Sequence, residues 1–259
     1  MDSARSQHNP HILLVEDEAL IAMHERTELE RAGYRVTYAK NGEAAIEHVD
    51  AAGQDINLIL MDIDLGPGID GTEAAGIILA RYSIPVVFLT AHTEPEYVER
   101  TERISSYGYV VKNSGTMVLL RSIEMALRLH EAHREVERSR WRYEQLFRNM
   151  TSGMLLIEGV YENGELSDYR FVDANPAVEL HSGIPADAMK GRTQSELFPE
   201  MSVKWLDICR SVLTSGETVH YRQYSRTLGR TLNLVAFPYD EGRFAVEFVD
   251  VSNGERGFS

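Results

Sequence analysis

The first half of the chain repeats one pattern five times: a short apolar run with little polar alternation, then an amphipathic segment. The runs are HILLVED, YRVTYA, INLILMDID, IPVVFLTAH and YGYVVKN. The segments that follow them are ALIAMHERTELERAGY, NGEAAIEHVD, GTEAAGIILARY, EPEYVERTERISS and TMVLLRSIEMALRLHEAH. A strand that alternates can keep one face in water, but INLILMD and IPVVFLTA are apolar on both faces and must be covered on both. Five such strands interleaved with helices predict a parallel sheet sandwiched by helices. Thr93, Pro95 and Glu96 read as a capping box that opens the fourth helix.

Sheets of this kind collect ligands beyond the carboxyl ends of their strands. Glu16 and Asp17 follow HILLV, Asp62 follows LILM, Thr90 follows VVFL and Lys112 follows YVV. Each alone has an ordinary explanation. An acidic pair after a strand complements the dipole of the next helix, and a threonine or lysine at a strand end is commonly solvated. Four such features at neighbouring strand ends converge on one crevice. Three carboxylates form a hard oxygen site of the kind that holds Mg²⁺. An Asp62 oxygen is then placed to attack a phosphoryl group in line, with Lys112 as a point charge and Thr90 as a hydroxyl donor for the phosphoryl oxygens. The product is an aspartyl phosphate.

The ordered set LLVED, LILMDIDL, GIDG, VVFLTA and YGYVVK resembles the receiver domain of two-component response regulators, over about residues 10 to 128. The resemblance implies a flavodoxin-like fold with strand order 2-1-3-4-5. It makes Asp62 the phosphoacceptor and Glu16, Asp17, Asp62 and the backbone carbonyl of Asp64 the Mg²⁺ ligands. Thr90 becomes the switch hydroxyl, Tyr109 the switch aromatic and Lys112 the phosphate-binding lysine. Two departures stand out. Gly66 lengthens the loop between Asp62 and the Asp70-Gly71 pair by one residue, and Asn113 follows Lys112 where the family has proline, which disfavours a cis peptide there.

DIDLG also resembles the signature of haloacid-dehalogenase-type phosphatases, in which the first aspartate is the nucleophile and the second a general acid. Those enzymes carry metal-binding acids after the lysine. KNSGTMVLL has none, and the acids here, Glu16 and Asp17, come before.

Met125, Leu129, Ala132, Val136, Ser139, Tyr143 and Leu146 recur at spacings of 4, 3, 4, 3, 4 and 3 within a segment dense in both signs of charge. That is a heptad seam with a solvated face, and it predicts a helical linker over 129–148 that forms a dimeric coiled coil.

After Asn149 the texture becomes β-rich: GMLLIEGV, LSDYRFVDAN, TVHYRQYS, RTLNLVAFPYD and RFAVEFVDVS, with ENGE as a turn and helical PAVELHSG and VKWLDICRSVLTSG in the middle. This predicts an antiparallel sheet with its helices gathered on one side. VDANPA, the KGR turn and the closing DVS resemble a PAS domain over about residues 141 to 252. By that resemblance Asp250 and Ser252 couple the sheet to whatever follows in the chain. GRTQSELF has Gln194 where a light-sensing flavin domain carries a reactive cysteine. Cys209 reads as a small buried hydrophobe, and His181 and His220 do not fall at the haem-ligand position. The expected cofactor is Mg²⁺ for the receiver and either none or a small metabolite for the PAS domain.

A chain of 259 residues accommodates two domains of about 100 to 150 residues. The expected division is a disordered 1–9, a receiver at 10–128, the linker, a PAS domain at 149–252 and a tail at 253–259. A net charge of −14 argues against nucleic acid as a direct partner. No apolar run approaches the roughly 20 residues that span a bilayer, and the single cysteine fits a reducing compartment, so the expected location is the cytoplasm.

The functional expectation is phosphorelay signalling, with a histidine kinase or phosphotransfer protein as donor and a second copy of the chain as partner. No output catalytic domain is recognisable in the sequence, so the only enzymatic chemistry expected is the receiver's own phosphorylation and dephosphorylation. Two further readings stay open: the sensory front of a hybrid histidine kinase, and a ligand-sensing PAS protein in which the receiver is a docking platform.

Overall fold

The computed structural model of the chain describes residues 9–52, 55–91, 107–112, 114–199, 203–225 and 229–252. It divides into two units, at 1–137 and 138–259. The expected capping box of Thr93 and Glu96, the fourth helix it opens and the Lys112–Asn113 peptide lie outside the described residues.

In the first unit β1 (His11–Val15), β2 (Arg35–Ala39), β3 (Leu58–Asp62), β4 (Val86–Thr90) and β5 (Tyr109–Val111) form one parallel sheet in the order β2-β1-β3-β4-β5. The expected doubly wound fold is therefore the observed one. Every residue of β1, β3 and β4 is buried, which is why these strands read as unbroken apolar runs. Alternate side chains go to opposite faces. Leu13, Val15, Ile59 and Met61 pack against α2 (Gly42–Ala52) and α3 (Gly71–Leu79). Ile12, Leu14, Leu58 and Leu60 meet α1 (Ala19–Arg31) and the start of α4 (Thr116–Asn149).

The turn out of β3 is closed by Gly71, whose N–H donates to the Ile63 carbonyl at 2.9 Å. A Cβ on Gly71 would lie 1.8 Å from the Asp62 carbonyl oxygen, so only glycine allows the start of α3 to press on the end of β3. Asp70 caps α3, its side chain accepting from Glu73 N–H at 2.9 Å.

The second unit is an antiparallel sheet of β6 (Gly153–Glu162), β7 (Glu165–Ala174), β8 (Val219–Ser225), β9 (Arg230–Asp240) and β10 (Arg243–Asp250), in the order β7-β6-β10-β9-β8. The hairpin between β6 and β7 turns at Asn163 and Gly164, both with positive φ, as a two-residue type I′ turn requires. Between β7 and β8 lie α5 (Ala177–Ser182), α6 (Ala186–Met189), α7 (Gln194–Leu197) and α8 (Val203–Ser215). Trp205, Cys209 and Val212 of α8 are at helical spacing and join Tyr169, Phe171 and Phe244 of the sheet in one core.

Three of the quoted PAS-like motifs are fasteners in this unit. Asn175 of VDANPA is fully buried, donates to the Ser152 carbonyl at 2.9 Å and accepts from Met154 N–H at 2.8 Å, which ties the end of β7 to the start of β6. The KGR turn docks on β7 through Gly191 N–H to the Phe171 carbonyl at 2.8 Å and Phe171 N–H to the Arg192 carbonyl at 2.9 Å. In DVS, the Asp250 carboxylate accepts from Ser252 N–H at 2.9 Å, and the Ser252 hydroxyl accepts from Thr231 N–H at 2.8 Å.

Candidate functional site

Parallel register brings the strand ends together. Val15 lies beside Met61 and Leu89 beside Val110, so the next residues, Glu16 with Asp62 and Thr90 with Val111, emerge at the same edge of the sheet. Lys112 follows β5 directly, its N–H donating to the Thr90 carbonyl at 2.7 Å. Glu16, Asp17, Asp62 and Lys112 lie close together at this edge, and Thr90 ends the neighbouring strand β4.

Lys112 Nζ is the hub. It donates to Asp62 Oδ2 at 2.7 Å and stands at the same distance from Glu16 Oε2. Glu16 Oε2 is therefore buried and charge-compensated by the ammonium. Glu16 and Asp62 are almost wholly buried, Asp17 is exposed and Thr90 is buried. Burial pushes the Asp62 and Glu16 carboxyls above the usual carboxylate range, against the opposing pull of Lys112. Burial also works to lower the Lys112 ammonium, but its two carboxylate partners outweigh that and hold it above its ordinary value.

Glu16, Asp17 and Asp62 can each point an oxygen so that all three lie within 4.8 Å of one another. Three carboxylates against one ammonium leave two negative charges when ionised. That excess and the all-oxygen donor set together fit a small hard divalent cation such as Mg²⁺. The Asp64 side chain is exposed, and its N–H approaches Asp62 Oδ1 at a long 3.4 Å. Gly66, the extra residue of the loop, sits against Asp17: a Cβ there would come 3.0 Å from Asp17 Oδ2. Tyr109 lies on the edge strand β5 and is 45% exposed.

One residue beside the site escaped the sequence reading. Glu25 faces inward from α1 with an Oε2 that is buried without a hydrogen-bond partner. Burial, reinforced by the charge of Glu16 and opposed by Lys112, pushes its carboxyl up to about 7. The available signal was its position between Ala22 and Leu29, three and four residues away, both buried. Glu25 lines a groove of about 770 Å³ that also reaches Asp62, Lys112 and Leu119.

In the second unit Cys209 is fully buried, and burial pushes its thiol well up, so it behaves as a hydrophobe. His181 is partly exposed and contacts the Thr151 carbonyl at 3.0 Å, while His220 is exposed on β8. Gln194 donates to the Phe198 carbonyl at 2.6 Å.

A family model described as the response regulator receiver domain matches residues 12–124, and one described as a PAS domain matches residues 142–213. The chain is 34% identical over 117 residues to the transcriptional regulatory protein PdtaR of Mycobacterium tuberculosis, covering 45% of this chain and 56% of that protein. It is 29% identical over 123 residues to the CAI-1 autoinducer sensor kinase/phosphatase CqsS of Vibrio cholerae, covering 46% of this chain and 18% of that one. The chain thus spans about half the length of the first of these relatives and less than a fifth of the second. Among solved structures, the N-terminal domain of a response regulator/sensory box/GGDEF three-domain protein from Carboxydothermus hydrogenoformans is 47% identical, with 48% of this chain and 98% of that one covered and a TM-score of 0.44. The chain therefore carries a response regulator receiver domain followed by a PAS domain.

Proposed function

We propose that this chain is a phosphorelay protein whose Asp62 accepts a phosphoryl group from the phosphohistidine of a histidine kinase or phosphotransfer protein. The observation that carries the reading is the placement of Lys112 Nζ 2.7 Å from both Asp62 and Glu16, within a three-carboxylate cluster. Glu16, Asp17, Asp62 and the Asp64 backbone carbonyl would hold Mg²⁺. When bound, the ion offsets the charge of the carboxylates and of the incoming phosphoryl oxygens.

An Asp62 carboxylate oxygen attacks phosphorus as the P–N bond of the donor breaks, and the imidazole leaves and takes a proton. Lys112 exchanges a carboxylate partner for a phosphoryl oxygen and so keeps a counter-charge throughout. Thr90, buried beside it, donates its hydroxyl to another phosphoryl oxygen, and Tyr109 on the edge strand changes its exposure in response. The receiver occupies 10–128 and the PAS module 149–252, with the helix over 129–148 carrying the change between them in a homodimer. The PAS module serves dimerisation or takes a small metabolite.

The net charge of −14 supports protein rather than nucleic-acid partners. No described helix is long and apolar enough to cross a membrane, and the lone Cys209 suits the reducing cytoplasm. Incubation of the purified chain with phosphoramidate and Mg²⁺ tests the reading by intact-mass spectrometry. One acid-labile phosphoryl group per chain is expected, and a chain that stays unmodified while binding Mg²⁺ normally overturns it.

A further inference from the structure

The loop that leaves β3 is pinned at both ends. Leu65 is buried in the core, and Ile69 packs on the start of α2, where a Cβ added to Gly42 would come 2.7 Å from Ile69 Cγ1. Between them Gly66, Pro67 and Gly68 form an exposed strap. Gly66 and Gly68 take φ of +66° and +123°, which only glycine adopts readily. Pro67 fixes its own φ and stiffens the span.

The strap lies against a carboxylate at each glycine. A Cβ on Gly66 would stand 3.0 Å from Asp17 Oδ2. A Cβ on Gly68 would stand 2.7 Å from Glu43 Oε1, and that same oxygen accepts from Ile69 N–H at 3.2 Å. Glu43 sits in the first turn of α2, whose start is fixed by Asn41 accepting from Ala44 N–H at 2.9 Å. The strap is thus tied to a helix terminus on one side and rests on Asp17 on the other.

Asp17 is the carboxylate of the cluster that most needs such support. Glu16 and Asp62 are buried and paired with Lys112, whereas Asp17 is exposed. Mg²⁺ demands near-octahedral geometry, so freedom at one ligand costs affinity. Groups that orient a ligand without touching the metal contribute accordingly.

We propose that Glu43 is a positioning residue for the cation: by clamping the loop after β3 it holds Gly66 against Asp17 and fixes that carboxylate for Mg²⁺. The proposal rests on the reading of the site given above and assigns a role to the extra loop residue and to a side chain on a different element.

Charge alone would act differently. A negative Glu43 draws a cation from a distance whatever it bonds to, and that attraction is lost equally in alanine and glutamine variants. A clamp needs only an acceptor oxygen, which glutamine keeps.

Isothermal titration of the full chain with Mg²⁺ separates the two, with urea melts in EDTA to establish that each variant is folded. Glu43→Ala should weaken Mg²⁺ binding about three- to tenfold, while Glu43→Gln should stay within about twofold of wild type. Gly68→Ala, whose methyl displaces the Glu43 carboxylate, should match Glu43→Ala. In an Asp17→Asn background both losses should shrink to within about twofold, because the group that the clamp positions is gone. Equal losses in Glu43→Ala and Glu43→Gln, or wild-type affinity in Glu43→Ala, overturn the clamp. A Glu43→Ala loss that persists in full in the Asp17→Asn background overturns its route through Gly66. A wild type that shows the expected pattern yet takes no phosphoryl group from phosphoramidate overturns the phosphorelay reading and leaves the clamp standing. A wild type that binds no Mg²⁺ overturns the cation site and the clamp together.

Discussion

Lys112 Nζ stands 2.7 Å from Asp62 Oδ2 although the two residues are 50 positions apart in the chain. They meet because β4 lies between β3 and β5, which puts the ends of all three strands at one edge of the sheet. A buried ammonium in this position holds the cluster together before any cation or phosphoryl group arrives, and breaking a buried pair by removing one partner costs about 3–5 kcal/mol. The expected behaviour of the site follows from this pairing.

Asp62→Asn should abolish acid-labile phosphorylation by acetyl phosphate, while Asp64→Asn should retain most of it. Asp62 is buried against Lys112 and Glu16, whereas the Asp64 side chain is exposed. Intact-mass spectrometry of both variants decides. A phosphorylated Asp62→Asn protein, or an inert Asp64→Asn protein with normal Mg²⁺ binding, contradicts the assignment.

Mg²⁺ binding should fall strongly in Asp17→Asn, by about tenfold or more, and less in Glu16→Gln if Glu16 acts through a water. Isothermal titration measures both. Small and equal effects would move the cation away from the end of β1.

Gly71→Ala should be severely destabilising, by more than about 3 kcal/mol, or should fold only by displacing the end of β3 and losing phosphorylation, because its Cβ would overlap the Asp62 carbonyl. Gly76, on the same helix, has nothing within 4 Å of an added Cβ. Gly76→Ala should therefore raise stability by up to about 1 kcal/mol. Urea melts of the pair provide the comparison, and equal effects would show that the close approach is absent in solution.

The pH dependence of stability should carry the signature of Glu25. Its carboxyl is raised from 4.5 to about 7 in the fold, so between those values the folded chain holds a proton that the unfolded chain has released. More protons on the folded state mean that this group's contribution falls as pH rises through the window. Glu25→Gln should therefore be more stable than wild type by about 1 to 2 kcal/mol at pH 8, allowing for solvent at a partly exposed carboxyl. The advantage should vanish near pH 4.5. A gap that does not change with pH would place Glu25 in water.

Much of this was legible in one dimension. Unbroken apolar runs occur because β1, β3 and β4 are covered on both faces. Asn-Gly between β6 and β7 announces a turn with two positive φ angles, and Asp70-Gly71 carries both the cap and the clearance that the start of α3 needs. These are local consequences of backbone sterics and of side-chain period, and they hold wherever the segment ends up.

Three things depended on the tertiary structure. Glu25 is an ordinary helix residue until Glu16, Lys112 and the walls of a groove surround it and raise its carboxyl. The KGR and DVS motifs are plain turns until β7 and β9 supply the backbone groups that they bind. On α4 the residues Ile123, Ala126 and His130 and the residues Val118, Met125 and Leu129 each recur at helical spacing, yet only the first set is buried. Periodicity reports which residues share a face. Which surface that face meets is set by contacts between segments far apart in the chain, so the two stripes are equivalent in sequence and become distinct only when the sheet covers one of them.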